Sequence, residues 1–487
     1  MTSTPPFAVK LALVFAGLLT AVSTLMATSS GRRNVLVFFV DDLRPELGCY
    51  GTDYIQTPHI DQLAQQGVLF ERAYCQQALC APSRISMMSG QYPDTTGIHD
   101  LFTPLRRKIP DVMTLPRYFQ ARGFVTASYG KVYHHHDDDK AYWSDLPESP
   151  GDIYADPQTL ADMQQRTEDA KRKGLKDLEL WAATRGPAVE AFEVEDDGYR
   201  DGAVAQQAIA SLRHYQDQPF FMCVGFAKPH LPFSAPQRYW DLYQRDQFDV
   251  PDRDLPAGTP TLAVTKWGEL RGYYGVPAEG DLSDEQTKAL RHGYAACVSY
   301  TDAQVGKVLA ELDRLGLREN TIVVLWGDHG YKLGDYGLWC KHTNLELDTR
   351  VPLIVSAPGH AAGKRSESLV EIVDLFPTLA ALTGGDIPDS CEGQNLVPLL
   401  HDPSQSLRPF ALSQYPRGKV MGYSLRDERW RYTEWVDSRS GAIVERELND
   451  HQDSSWAEGN LAADPNQAER VAAFSHQLKI RRERASH

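Results

Sequence analysis

The arrangement of apolar and polar positions along the chain reads as strands alternating with helices. Residues 34–40 (NVLVFFV) form a continuous apolar run that stops abruptly at Asp41-Asp42. A run that is apolar on both faces predicts a central strand of a parallel sheet. Comparable runs predict strands over 220–226 (FFMCVGF), 321–326 (TIVVLW) and 352–356. The run over 321–326 leads straight into Gly327-Asp328-His329. Helical periodicity falls between these runs. It covers 59–70, where Ile60, Leu63 and Ala64 share a face, then 82–89, opened by Pro82. It returns over 115–121, closed by Gly123, over 201–215 and over 284–315. The expected fold is therefore α/β, a large mostly parallel sheet sandwiched by helices.

Two stretches depart from that rhythm. Residues 137–197 are polar, rich in Pro, Asp and Lys, and weakly periodic, which predicts an insertion of loops and short helices. From about residue 405 the texture shifts to short antiparallel strands over 421–425 and 430–436 and a charged helix over 465–482. That predicts a smaller C-terminal α+β subdomain over 405–487. At the other end, Lys10 precedes the apolar run 11–22 (LALVFAGLLTAV), and small and polar residues follow through Ser30. This is the pattern of a secretory signal peptide over 1–30, too short to span a bilayer comfortably. An uncleaved N-terminal anchor is the competing reading. The expectation is a secreted or periplasmic protein, with a catalytic domain over 31–404 and no membrane association once the leader is removed.

Composition narrows the picture. The chain has 487 residues, 42% of them apolar, enough for a sizeable core. Its 50 Lys+Arg against 65 Asp+Glu give a net charge of -15, which argues against nucleic acid as a partner. The seven cysteines are scattered too widely for a disulfide scaffold, and their odd number leaves at least one unpaired.

The chemistry gathers at the ends of the predicted strands, where open α/β sheets place their active sites. Asp41, Asp42 and Asp328 offer the oxygen donors that Ca²⁺ prefers, and His329 is a poorer calcium ligand beside them. Cys80 opens the run Cys80-Ala81-Pro82-Ser83-Arg84. This matches C-x-P-S-R, the sequence at which the cell oxidises a cysteine to formylglycine. Further runs stand in order along the chain: Val40-Asp41-Asp42-Leu43-Arg44-Pro45, Gly130-Lys131-Val132-Tyr133-His134, Lys228-Pro229-His230, Trp339-Cys340-Lys341 and Arg431-Tyr432-Thr433-Glu434-Trp435. On these residues the chain resembles the type I, formylglycine-dependent sulfatases of the alkaline phosphatase superfamily, and among them the iduronate-2-sulfatase group.

The resemblance implies a site. Asp41, Asp42, Asp328 and His329, with an oxygen of modified residue 80, are expected to hold one Ca²⁺. Cys80, as hydrated formylglycine, is expected to attack sulfur and form a covalent sulfated intermediate, which its second hydroxyl resolves without attacking water. Asp328 would activate the attacking hydroxyl and Arg84 would orient it. Lys131 would grip the sulfate, and His134 would take the proton when the intermediate collapses. His230 and Lys341 would contact the ester and protonate the leaving oxygen. The implied partners are the formylglycine-generating machinery and a sulfated carbohydrate, such as a 2-O-sulfated uronic acid in a polysaccharide or oligosaccharide. The acidic balance sits oddly with such a substrate and demands a local basic pocket. Two other readings stay open: a phosphate diester or phosphonate ester hydrolase of the same superfamily, and an inactive exported glycan-binding protein.

Overall fold

The computed structural model describes residues 1–2, 32–136, 138–265, 268–452 and 459–484. The expected leader falls on residues 3–31, outside the described residues. Eight strands form the main sheet: β1 (Asn34–Val40), β2 (Val68–Tyr74), β3 (Val125–Gly130), β4 (Phe220–Phe226), β5 (Thr321–Gly327), β6 (Arg350–Val351), β7 (Leu353–Ser356) and β8 (Lys364–Glu371). Their order is β6-β2-β7-β5-β1-β4-β3, with β8 pairing β2. The block β5-β1-β4-β3 is parallel throughout. β1 is buried at every position because it contributes to both cores. Leu36, Phe38 and Val40 enter one apolar cluster, and Val35, Val37 and Phe39 enter the other. The long helix Asp284–Arg314 and the helix Arg200–Tyr215 cover the first face. Helices Cys80–Ser89, Leu115–Ala121 and Leu375–Leu382 cover the second.

Two features differ from the reading of the apolar pattern. The expected helix over 59–70 ends at Gln65, and Val68 opens β2. The break is Gly67, where an added Cβ would lie 2.5 Å from the carbonyl oxygen of Val355, so backbone crowds the position and only glycine fits. β7, expected in the parallel set, runs antiparallel to β5 and β2. A parallel return needs a crossover that carries the chain back to the start of the sheet. Residues 328–349 hold only two-residue strands and single-turn helices, none long enough for a crossover, so the chain re-enters from that end.

Residues 157–184 carry the helices Pro157–Arg172 and Asp177–Thr184, and Val189–Phe192 pairs with Phe233–Pro236 outside the main sheet. Near the C-terminus β9 (Ala411–Arg417), β10 (Val420–Arg426), β11 (Trp430–Asp437) and β12 (Ile443–Asp450) form an antiparallel meander. Phe474 and Leu478 of the helix Ala468–Arg484 pack there with Leu425, Tyr432 and Leu448. All seven cysteines are free. Among the described residues no helix is long and apolar enough to cross a membrane.

Candidate active site

Strand register builds the site. Val40 of β1 pairs with Gly327 of β5 on one side and Phe226 of β4 on the other, and Gly225 of β4 pairs with Gly130 of β3. Four parallel strands thus end level. The residues that follow them, Asp41-Asp42, Asp328-His329, Lys131 and the Lys228-Pro229-His230 turn, emerge at one edge. Asp42 has φ 59, a left-handed conformation uncommon for residues other than glycine, and its backbone N–H donates to Asp328 Oδ1 at 3.1 Å. Cys340 (φ 65) and His342 (φ 82) flank Lys341 in the same unusual region. Such backbone persists only where the surroundings enforce it, and it gathers at functional sites.

Cys80 is the first residue of a ten-residue helix, every position of which is buried. Its Sγ lies 3.4 Å from Asp41 Oδ1 and 3.2 Å from His329 Nε2. Asp41, Cys80, Asp328 and His329 each present a ligand atom, and all four atoms lie within 4.8 Å of one another. This donor set suits a divalent cation. Asp42 stands beside it, its Oδ1 3.4 Å from His329 Nδ1 and accepting no well-formed hydrogen bond although buried. Burial pushes the Cys80 thiol well above its ordinary value, and Asp41 adds to the effect.

The carboxylates are held by cations. Arg84, one helical turn beyond Cys80 and fully buried, places Nε 2.8 Å from Asp328 Oδ2 and Nη2 3.3 Å from Asp41 Oδ1. Its Nη1 donates to the carbonyl oxygens of Lys131 and Val132. Lys131 Nζ pairs with Asp41 Oδ2 and lies 3.9 Å from Cys80 Sγ. Burial alone would raise Asp41, but Lys131, His230 and Arg84 outweigh it and hold its carboxyl well below the usual carboxylate range. For Asp328 burial wins over His329 and Arg84, and its proton affinity is raised. Lys341 Nζ sits 3.0 Å from Asp42 Oδ1. His230 Nε2 is 3.8 Å from Asp42 Oδ2.

The structure therefore brings Asp41, Asp42, Cys80, Arg84, Lys131, His230, Asp328, His329 and Lys341 into one buried cluster. His134 stands slightly apart. It lines a cavity of about 240 Å³ with Lys131, Tyr133 and Arg200, and its Nδ1 is buried without a hydrogen-bond partner. Burial, reinforced by Lys131, pushes its pKa down to about 3. One residue of the cluster escaped the sequence reading. Glu269 lies 3.1 Å from His230 Nε2 and 3.2 Å from Lys341 Nζ. It sits in a polar loop without periodicity or motif, so nothing in the sequence marks it.

The profile of the family described as Sulfatase matches residues 33–385, most of the chain. The chain belongs to the sulfatase family. A second profile, N-sulphoglucosamine sulphohydrolase, C-terminal, matches residues 334–484. Iduronate 2-sulfatase of Homo sapiens is 36% identical over 479 residues, covering 83% of this chain and 85% of that protein. A sulfatase of Formosa agariphila is 28% identical over 83% of this chain and 79% of its own length. Among solved structures, the phosphonate monoester hydrolase of Silicibacter pomeroyi superposes with a TM-score of 0.72 at 25% identity, covering 93% of this sulfatase and 96% of that chain. A structure solved in complex with D-glucosamine-2-N,6-O-disulfate gives a TM-score of 0.73 at 20% identity, covering 93% and 98%, a likeness of fold. The family and these iduronate 2-sulfatase relatives make the chain a sulfuric ester hydrolase.

Proposed function

We propose that this sulfatase hydrolyses sulfate esters of sulfated sugars, with a 2-O-sulfated uronic acid of a glycan fragment as its substrate, using Ca²⁺ and a formylglycine made from Cys80. The observation that carries the reading is the position of Cys80 Sγ, at a buried helix N-terminus within reach of Asp41, His329 and Lys131. Sγ marks the place of the oxygens that oxidation would install. Hydrated formylglycine supplies the nucleophilic hydroxyl for sulfur. Ca²⁺, held by Asp41, Asp42, Asp328 and His329, supplies charge for the sulfate oxygens.

The remaining steps belong to the chain's own residues. Asp328 takes the proton of the attacking hydroxyl, a task its raised proton affinity suits. Arg84 keeps Asp41 and Asp328 apart and oriented, and the helix N-terminus favours an anion beside residue 80. Lys131 grips a sulfate oxygen. A sulfate there offsets the Lys131 charge that depresses His134, so His134 gains proton affinity when the site is filled. His230 and Lys341 deliver the proton to the leaving oxygen. Four carboxylates, Asp41, Asp42, Asp328 and Glu269, face three permanent cations, Arg84, Lys131 and Lys341. A divalent ion added to that balance turns the pocket net positive, which reconciles an acidic chain with an anionic substrate.

The relatives favour the substrate class: iduronate 2-sulfatase is the name of two of them, each 36% identical and covering 83% of this chain. We place the signal peptide at 1–30, the catalytic domain at 31–404 and the C-terminal subdomain at 405–487, with secretion or periplasmic export and maturation of Cys80 by the formylglycine-generating machinery. The decisive test is the mass of the tryptic peptide containing residue 80 from a host that carries this machinery. A loss of about 18 Da relative to the thiol is expected, the signature of the aldehyde nucleophile. An unmodified thiol in fully active enzyme overturns the proposal. Full activity after exhaustive chelation overturns the metal, and faster turnover of a phosphate diester than of any sulfate ester overturns the substrate class.

A further inference from the structure

Glu269 enters the site from a segment that carries no catalytic motif. Its side chain is 11% exposed, and its two oxygens divide between two nitrogens. Oε1 lies 3.1 Å from His230 Nε2 and Oε2 lies 3.2 Å from Lys341 Nζ. These are the nitrogens assigned above to the leaving oxygen. The ring of His230 is tied at its other end as well, with Nδ1 2.6 Å from the carbonyl oxygen of Leu231. Lys341 Nζ stands between Asp42 Oδ1 at 3.0 Å and Glu269 Oε2. A lysine ammonium has three donors. One goes to Asp42 Oδ2 at 3.1 Å, the Glu269 carboxylate attracts the ammonium from the other side, and a further donor can reach an ester oxygen.

The carboxylate is itself held from behind. Glu269 leads into the short turn Leu270–Gly272. An added Cβ at Gly272 would come 2.9 Å from the ring of Trp181. The Arg185 guanidinium stacks 3.7 Å from the Trp181 ring and 4.2 Å from that of Tyr273, and its Nη1 approaches the Glu269 carbonyl oxygen at 3.5 Å. The helix Asp177–Thr184, which contains Trp181, thus braces the backbone from which Glu269 reaches inward. A carboxylate fixed on both sides serves geometry better than one on a free loop.

We propose that Glu269 is a positioning residue for leaving-group protonation, aligning His230 Nε2 and Lys341 Nζ on the ester oxygen. This rests on the sulfatase reading above. As the S–O bond breaks, its electron pair stays on the sugar oxygen, and a proton from His230 or Lys341 converts that alkoxide into a hydroxyl. A sugar alkoxide needs this proton; 4-nitrophenolate does not. Loss of Glu269 should therefore hurt the two leaving groups unequally.

The test compares wild type, Glu269→Gln and Glu269→Asp, matured and loaded with Ca²⁺, on a 2-O-sulfated uronate disaccharide and on 4-nitrophenyl sulfate. Glu269→Gln should lower kcat on the disaccharide by more than about tenfold, the scale of general-acid catalysis. KM should stay within about threefold, and kcat on 4-nitrophenyl sulfate should fall less than about threefold. Glu269→Asp, which keeps the charge on a shorter stem, should restore at least about a third of the disaccharide rate. An equal fall on both substrates, or no fall on either, overturns the positioning role and leaves the sulfatase reading standing. Wild type that cleaves neither sulfate removes that reading, and this inference goes with it. Should Glu269→Gln fail to fold by circular dichroism, the ratio of losses in Glu269→Asp decides by the same criterion.

Discussion

Arg84 shows how much one side chain can carry. It is fully buried, touches Asp41 and Asp328 at 3.3 and 2.8 Å, and stacks 5.9 Å above the ring of Phe39. Burial works against its charge, yet the two carboxylates more than offset this and raise its pKa. Removing it leaves those carboxylates buried and underpaired, a defect that costs about 3–5 kcal/mol. Arg84→Met should therefore lower the denaturant midpoint sharply in metal-free protein. Arg84→Lys should lose less, since it keeps the charge but not the planar fork. A Met variant within about 1 kcal/mol of wild type would show that the carboxylates repel one another far less than their spacing implies. Arg84 was legible in the sequence because it belongs to the C-x-P-S-R run. Glu269, which lies against the His230 and Lys341 nitrogens, was not, because its role depends on a loop folding back against them.

At the scale of elements, the level ends of β5, β1, β4 and β3 decide what meets what. The closest approach is between β3 and β4. A Cβ added at Gly225 would lie 2.1 Å from the carbonyl oxygen of Lys131, and one added at Gly130 (φ 72) 2.2 Å from that of Gly225. Only glycine at both positions lets Lys131 lie against Asp41. Gly225→Ala should cost about 1–3 kcal/mol through forced displacement of that backbone. Turnover should fall more than stability alone explains, because Lys131 moves off the sulfate. Calorimetry alongside kinetics on the same preparation checks this, and a variant with wild-type kcat and KM would sink it. The strands β1, β4 and β5 were legible from apolar runs alone, since burial on both faces leaves few polar positions. β2 was hidden because its Val68-Leu69-Phe70 start prolongs the periodicity of the preceding helix. The antiparallel sense of β7 could not be read from its residues, which suit either direction.

For the whole molecule, the C-terminal meander is tied to the α/β body through buried polar contacts. Glu346 binds Arg426 at 3.1 Å and Arg431 at 2.5 Å. Ser413 Oγ donates to the carbonyl oxygen of Cys75 at 2.6 Å, and the Gln414 backbone N–H donates to that of Gln76 at 2.7 Å. Tyr415 Oη lies 2.6 Å from Nδ1 of His342, next to Lys341, so the meander also braces the site. Scanning calorimetry should show one cooperative transition for the folded chain, moving to higher temperature with added Ca²⁺ as ligand linkage requires. Two resolved transitions would mean that these contacts do not couple the subdomain to the body. The sequence by itself determined the sheet class, the family and nine of the ten clustered residues, because apolar runs and short motifs are local patterns that survive without neighbours. Tertiary structure alone decided the reversal of β7, the four-stranded meander, the offset of His134 and the entry of Glu269. Those outcomes depend on which surfaces meet across long chain separations, and no local pattern encodes such a meeting.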